Sequence, residues 1–326
     1  MNDERNMMKV SVAISTYNGE KYIIEQLDSL RLQTRTIDEV IIIDDCSSDH
    51  TVKLIKKYIQ KNNLVSWKIY VNEENVGWKI NFFNAINMSS GDIVFPCDQD
   101  DIWHKDKIEK MASIIENNDS IMVLEARPHK FFDDEEKLSE KNIHVKLGNF
   151  LDKLGTKKIR KNDATMVRQK KFSYDFLKRA PGCTLAVRKD FFNDIKSKWK
   201  NDMPHDALLT YFPNLLGVYY ILDYDVIEWR QHVGSASRQL ERSKKIRVNQ
   251  LLFDRDIINC MYMFSKEKNI ANKKIKLLIK AKKYNDERIK IVIERKIYRF
   301  PLLFRYVMFY PQYRRVITDL KYGIEK

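Results

Sequence analysis

The chain has 326 residues, 44% of them apolar, which is enough for one large packed domain with an appendage and excludes disorder as the default. Its formal net charge of +14 implies a polyanionic partner, whether nucleic acid, an anionic lipid surface or a phosphorylated substrate, and the placement of the charge must decide between them. The opening MNDERNMMKV holds acids and no apolar run, so a secretory or transit segment is not expected and a cytoplasmic location is, while Cys46, Cys97, Cys183 and Cys260 are too scattered for a disulfide framework or a zinc site.

In chain order, residues 10–15, 40–43, 66–71 and 92–96 are short apolar runs rich in β-branched residues, the pattern of buried parallel strands. Helix-length segments at 20–33, 50–61 and 77–88 separate them, with apolar residues three and four apart. This alternation predicts a right-handed, doubly wound parallel sheet over about the first 120 residues, with ligands outside the carboxyl ends of the strands. The loops at those ends read STYNGE (15–20), DDCSSDHT (44–51) and CDQDDIW (97–103), and they collect carboxylates and hydroxyls on one edge.

From about 126 to 180 the pattern dissolves into polar, basic sequence such as GTKKIRKNDATMVRQKK, read as loops and short elements. Order returns with PGCTLAVRKDFF (181–192), a helix-like PHDALLTYF (204–212) and two expected strands within LGVYYILDYDVIEWRQH (216–232). A boundary is expected at 238/239, beyond which the chain turns helical, lysine-rich and finally aromatic.

Asp98, Asp100 and Asp101 fall together at a strand end, where three carboxylates repel one another unless a cation or ligand neutralises them. Hard oxygen donors suit Mg²⁺ or Mn²⁺, and the competing reading is a solvated turn with an Asp cap before KDKIEKM. In the second acidic loop, capping explains Asp49 or Ser48 but not the pair Asp44 and Asp45, expected to aim out of the strand end, where a carboxylate can accept a uracil or thymine imide N–H.

With its motifs VSVAISTYNGEKYIIEQLDSL, IIIDDCSSDHT, ENVGWKINFFNAI, SGDIVFPCDQDDIW, GCTLAVRK, HDALL and WRQHVG in that order, the chain resembles glycosyltransferase family 2 over roughly residues 9–235, and within it the bacterial rhamnosyltransferase-like branch. The resemblance implies an α/β, GT-A type Rossmann-like fold, a mainly parallel sheet flanked by helices, here with a helical basic C-terminal appendage. It implies an inverting, metal-dependent transfer from a nucleotide-diphosphate sugar, dTDP-rhamnose favoured and UDP-hexose the alternative, to a hydroxyl of a glycan or lipid-linked acceptor in surface polysaccharide synthesis. By that similarity Ser15, Tyr17 and Asp45 hold the base, with Asn18 and Glu20 in the same loop; Asn75, Gly77 and Asn81 frame the pocket; Asp98 and Gln99 meet the donor; Asp98, Asp100 and His232 hold Mg²⁺ or Mn²⁺; Arg230 offsets phosphate charge; and Asp206, after His205, is the catalytic base. Gly182 and Cys183 match an acceptor-side loop. Two departures leave acceptor choice open: HDALL lacks following bulky aromatics, and RQH runs into VGSASR.

From Ser265 to Lys326 there are 18 Lys and Arg against 6 acids, a +12 excess that is most of the chain's total. Within it, IYRFPLLFRYVMFYPQYRR is aromatic, flanked by arginines, and too short and interrupted to span a bilayer, which takes ~20 apolar residues. This suits a segment lying on an anionic membrane surface at the inner face of the cell membrane; packing on the core or a homodimer contact is the alternative. Three rival functions fit less well, one of them an idle scaffold that keeps the fold and binds lipid or partner proteins, against which the intact Asp45, Asp98, Asp100, Asp206 and His232 stand. Nucleic-acid binding lacks zinc spacing or a basic recognition helix, and the acidic loops would repel a phosphate backbone; a nucleotidyltransferase lacks a glycine-rich phosphate loop after the first strand.

Overall fold

The computed structural model describes residues 7–133, 166–200, 203–232, 243–309 and 314–325. Most of GTKKIRKNDATMVRQKK and all of VGSASR lie outside these residues, as does the 238/239 boundary. By contacts the chain forms two compact units, one of Met1–Gln169, Ala180–Asp206 and Tyr220–Gln239, the other of Lys170–Arg179, Ala207–Tyr219 and Leu240–Lys326.

The first unit is built on a mixed sheet. Strands β1 (Val10–Thr16), β2 (Glu39–Asp44), β3 (Trp67–Val71) and β4 (Ile93–Cys97) pair in parallel in the order β3-β2-β1-β4. The connections carry α1 (Ile23–Arg31), α2 (Thr51–Lys61) and α3 (Trp78–Met88), so the expected alternation is present. β1 and β4 are buried along their whole length, as strands covered on both faces must be, whereas β3 is an edge strand with Tyr70 and Val71 exposed. Val12, Ile14, Ile42, Phe95 and Leu27 sit in one core cluster with Ile108 and Met111 of α4 (Lys107–Glu116).

Beyond β4 the sheet turns antiparallel, continuing through β8 (Leu185–Arg188), β6 (Val123–Phe132), β9 (Tyr219–Gln231) and the two-residue β5 (Ile102–Trp103), with β7 (Val167–Gln169) also on β9. Two sequence expectations fail here. The region from 126 reads as loop, yet β6 runs through Pro128 to Phe132, because cross-strand ion pairs replace apolar alternation: Arg127 with Asp223 and Asp225, and His129 with Glu228. The two strands expected within 216–232 are one strand of 13 residues, β9.

The second unit is helical. Helices α7 (Lys244–Glu267) and α8 (Asn272–Val292) are followed by 3₁₀ turns over Ile297–Phe309 and by α9 (Arg314–Ile324). Asp319 of α9 is fully buried and accepts from Arg247 (2.7 Å) and Arg288 (2.8 Å). Three residues per 3₁₀ turn explain the burial of the aromatic segment. Phe300, Leu303, Tyr306 and Phe309 recur at that spacing and pack on Tyr284 and Ile291, while Tyr298 and Phe304, on the spacing beside it, are 75% and 64% exposed. No helix among the described residues is long and apolar enough to cross a membrane.

Candidate active site

The carboxyl ends of β1, β2 and β4 bring the three polar loops together. The β2 loop is held from within: Asp44, fully buried, accepts from the Thr16 hydroxyl (2.7 Å), the Ser47 N–H (2.8 Å) and the Ser47 hydroxyl (2.7 Å). Asp45, 2% exposed, accepts from the Val76 N–H, the Gly77 N–H and the Asn72 amide, each at 2.9 Å. Neither carboxylate points freely out of the strand end, contrary to the sequence reading, because backbone N–H groups of nearby turns need acceptors and these carboxylates supply them. Three donors against about four lone-pair sites leave Asp45 room for one more partner.

Asn81 is fully buried on α3 and donates to the Ser15 hydroxyl (2.7 Å) and the Ile43 carbonyl (2.7 Å), so it and Ser15 tie the helix to the two central strands. Asn75 donates to the Asp45 carbonyl at 3.1 Å. Gly77 opens α3 at φ +88, a left-handed backbone that requires glycine, with open space where a Cβ would stand.

The first loop is pinned on both sides. Asn18 receives the Ser48 N–H (2.9 Å) and donates its own N–H to Ser47 (2.8 Å), and Glu20 accepts from the His50 N–H (2.9 Å). The Gln99 side-chain amide pairs with both the N–H (2.9 Å) and the C=O (3.0 Å) of Tyr17, as a neighbouring strand would, and Tyr17 is 48% exposed.

After β4, Asp98, Asp101 and Cys183 bring ligand atoms within 4.8 Å of one another, and Asp100 lies 2.7 Å from the His232 Nε2. Burial above all, then the charge of Asp100, pushes the Asp98 carboxyl up to about 7. Asp101, 1% exposed, is raised well above its ordinary value by burial and then by Asp98 and Asp100, against the Arg230 N–H that its Oδ1 accepts at 3.0 Å.

The Glycosyl transferase family 2 profile matches residues 11–195, more than half of the chain. The chain belongs to glycosyl transferase family 2. Poly(ribitol-phosphate) beta-N-acetylglucosaminyltransferase TarS of Staphylococcus aureus is 38% identical over 120 residues, 36% of this chain and 21% of TarS. dTDP-rhamnosyl transferase RfbG of Shigella flexneri is 27% identical over 191 residues, 56% of each chain. The matched stretch thus spans about a fifth of TarS and a little over half of RfbG. Among solved structures, S. aureus TarS 1-349 in complex with UDP-GlcNAc has a TM-score of 0.57 at 18% identity, covering 97% of this chain and 90% of that one. Mannosyltransferase PcManGT from Pyrobaculum calidifontis, in complex with GDP-Man and Mn2+, has a TM-score of 0.56 at 15% identity, covering 98% and 86%. At such identities the likeness is one of fold, and that fold is GT-A.

For a family 2 enzyme the donor set suits a hard cation. Clustered carboxylates whose proton affinity is raised by one another are stabilised by a divalent ion. Among the described residues the ligand atoms gathered within 4.8 Å are those of Asp98, Asp101 and Cys183, not the expected set of Asp98, Asp100 and His232, of which Asp100 and His232 form a hydrogen-bonded pair; the Cys183 thiol, raised well above its ordinary value by burial and then by Asp101 and Asp98, stays protonated and lines the site as a wall. Arg230 has a structural role beside the one expected of it. It is 7% exposed, lies between the rings of Tyr22 (4.7 Å) and Phe131 (4.6 Å), donates to the Asp100 carbonyl (2.8 Å) and pairs with Glu25. It therefore braces the Asp100–Asp101 turn through its backbone N–H and Nε. Glu25, Tyr22 and Phe131 gave no sequence signal, because their contact with Arg230 spans about a hundred to two hundred positions.

On the other wall His205 and Asp206 begin α6 (His205–Leu216). The His205 ring stacks on Phe82 at 4.1 Å, and a Cβ on Gly182 would come within 2.1 Å of its Nε2. Asp206 is close enough to Asp98 for its charge to raise that carboxyl, so the expected base and the expected donor-side carboxylates share one site.

Proposed function

We propose that the chain is an inverting, metal-dependent glycosyltransferase moving a sugar, rhamnose from dTDP-rhamnose in preference to a UDP-linked hexose, to a hydroxyl of a glycan or lipid-linked oligosaccharide in surface polysaccharide synthesis. The reading rests chiefly on the carboxylates of Asp98, Asp100 and Asp101 gathered at the tip of β4, in electrostatic reach of Asp206. Asp206 accepts the proton of the acceptor hydroxyl as its oxygen bonds to the anomeric carbon and the bond to the departing nucleoside diphosphate breaks. A dipole at the α6 N-terminus favours Asp206 as the anion that this role requires. Asp98, Asp100 and His232 would hold Mg²⁺ or Mn²⁺, which supplies Lewis-acid stabilisation of the diphosphate. Asp45 offers its remaining acceptor site to the base imide, the Tyr17 ring covers the base from the rim, and Ser15, Asn18, Glu20, Asn75, Gly77, Asn81 and Gln99 fix the loops around it.

In this reading residues 1–238 form the catalytic part and 239–326 a region that lies on the anionic inner face of the membrane, with the exposed Tyr298, Phe304 and Met308 entering the headgroup layer beside Arg305. The donor test is a panel of dTDP-rhamnose, UDP-glucose, UDP-galactose and UDP-N-acetylglucosamine with Mn²⁺ or Mg²⁺, scored by donor hydrolysis and thermal stabilisation. Stabilisation by no nucleotide sugar sinks the reading. For the surface, co-sedimentation with phosphatidylglycerol vesicles but not phosphatidylcholine vesicles is expected, weakened by Phe304→Ser; equal partition to both, or none, sinks that part.

A further inference from the structure

Lys107 has no part in the chemistry just described, yet it lies at the centre of the site. It opens α4, where the helix dipole disfavours a cation, and none of its surface is exposed. A lysine buried at a helix N-terminus carries two penalties, desolvation and an adverse dipole, so its partners must offset both. Its Nζ donates to the Cys183 carbonyl at 2.6 Å and lies 3.3 Å from the centroid of the Trp103 ring, in cation–π contact. Asp101 and Asp98 face it, and burial lowers its pKa to about 8.

Cys183 belongs to the short turn Gly182–Thr184, and Gly182 lies directly against the His205 ring at the start of α6. The donor-side carboxylates stand after β4 and Asp206 follows His205, and the Lys107 ammonium joins those two walls through a backbone carbonyl. We infer that Lys107 is a positioning residue, a buried tether that fixes the Gly182–Thr184 turn against the Asp98–Asp101 loop and thereby sets the distance from the donor phosphates to the base. The inference builds on the proposed transfer reaction. A tether of this kind changes the alignment of acceptor and base without touching the nucleotide.

The test compares wild-type full-length protein with Lys107→Met, which keeps the length and loses the donor, and Lys107→Gln, which keeps an N–H for the carbonyl. Lys107→Met is expected to bind nucleoside diphosphate with Mn²⁺ within about threefold of wild type, to lower kcat for transfer about 10²-fold at unchanged donor KM, and to release more nucleoside diphosphate per glycoside formed. Lys107→Gln should recover part of that loss. Amide exchange over residues 181–188 should quicken in Lys107→Met, a readout that needs no turnover and stands even if no donor on the panel is used. Unchanged exchange in that turn overturns the tether, as does a kcat loss no larger than the loss of folded protein. Should Lys107→Met not fold, Lys107→Gln alone decides: a kcat below wild type by less than about 10²-fold, together with quickened exchange over residues 181–188, is the expected result, and wild-type exchange, whatever the kcat, overturns the inference.

Discussion

Replacing Gly182 by alanine should slow transfer while sparing the donor pocket. The backbone of Gly182 is not in the left-handed region, so the added methyl acts only through crowding. It would sit 2.1 Å from the His205 Nε2 and 2.9 Å from Cε1, and ordinary contact begins at 3.4 Å, so one of the two must move by about 1.3 Å. The imidazole cannot simply swing away, since it stacks on Phe82, itself 6% exposed. Overpacking of this kind costs about 1–3 kcal/mol of stability. Its larger effect falls on Asp206, one residue along, because a misplacement of ~1 Å in a catalytic group costs about 10² in rate. Initial rates at saturating donor should therefore fall about a hundredfold, while calorimetry shows nucleoside diphosphate and Mn²⁺ binding near wild type. Wild-type kcat in a well-folded Gly182→Ala would refute the coupling of this turn to the base.

Other substitutions separate the parts of the site. Asp206→Asn should abolish transfer with nucleotide binding intact, measured by product formation and by thermal shift with nucleoside diphosphate. Asp100→Ala should weaken Mn²⁺-dependent donor binding as well, and any rate loss should be on the order of 10² to 10³, the usual worth of one charge stabiliser. Asp319→Ala, which leaves Arg247 and Arg288 facing each other without their shared carboxylate, should destabilise the helical unit by about 3–5 kcal/mol in urea melts. The Asp98 carboxyl titrates near 7 when folded and at 3.8 ordinarily, so the folded state binds the extra proton, and this group makes metal-free protein less stable as pH rises between those values. Melting in EDTA should show that fall, and Mn²⁺ should blunt it.

The parallel half of the fold was legible because each of its strands carries its own signal. Runs at 10–15, 40–43, 66–71 and 92–96 coincide with β1 to β4 to within a residue or two, since in β1, β2 and β4 residues buried on both faces leave a continuous apolar trace. The antiparallel half was less legible for the opposite reason. β6 is held by Arg127 and His129 pairing with residues of β9 about a hundred positions away, and a charge whose partner is distant looks like a solvated charge. The site divides in the same way. The loops STYNGE, DDCSSDHT and CDQDDIW could be found from their positions after strands, but nothing in WRQH shows that Arg230 packs against Tyr22, Phe131 and Glu25 and braces the Asp100–Asp101 turn. Nothing in KDKIEKM marks Lys107 as buried.

The two aspartate groups show why composition alone could not assign roles. Asp44 ends β2 and Asp45 follows it, while Asp98, Asp100 and Asp101 follow β4, at equivalent ends of parallel strands, yet their surroundings differ in donor supply. Asp45 is met by two backbone N–H groups and an amide, and Asp44 by a backbone N–H and two hydroxyls, so both are neutralised by the protein's own dipoles and hold loops in place. The β4 group has fewer donors per carboxylate than the β2 pair: Asp101 receives one backbone N–H and shares the Cys183 thiol with Asp98, Asp100 faces His232, and Asp98 answers mainly to burial and like charge. A buried carboxylate group short of donors takes either protons or a cation. In the proposed reaction a nucleotide sugar arriving with a divalent ion would bring that cation, and its base would meet loops that the β2 aspartates already hold in place.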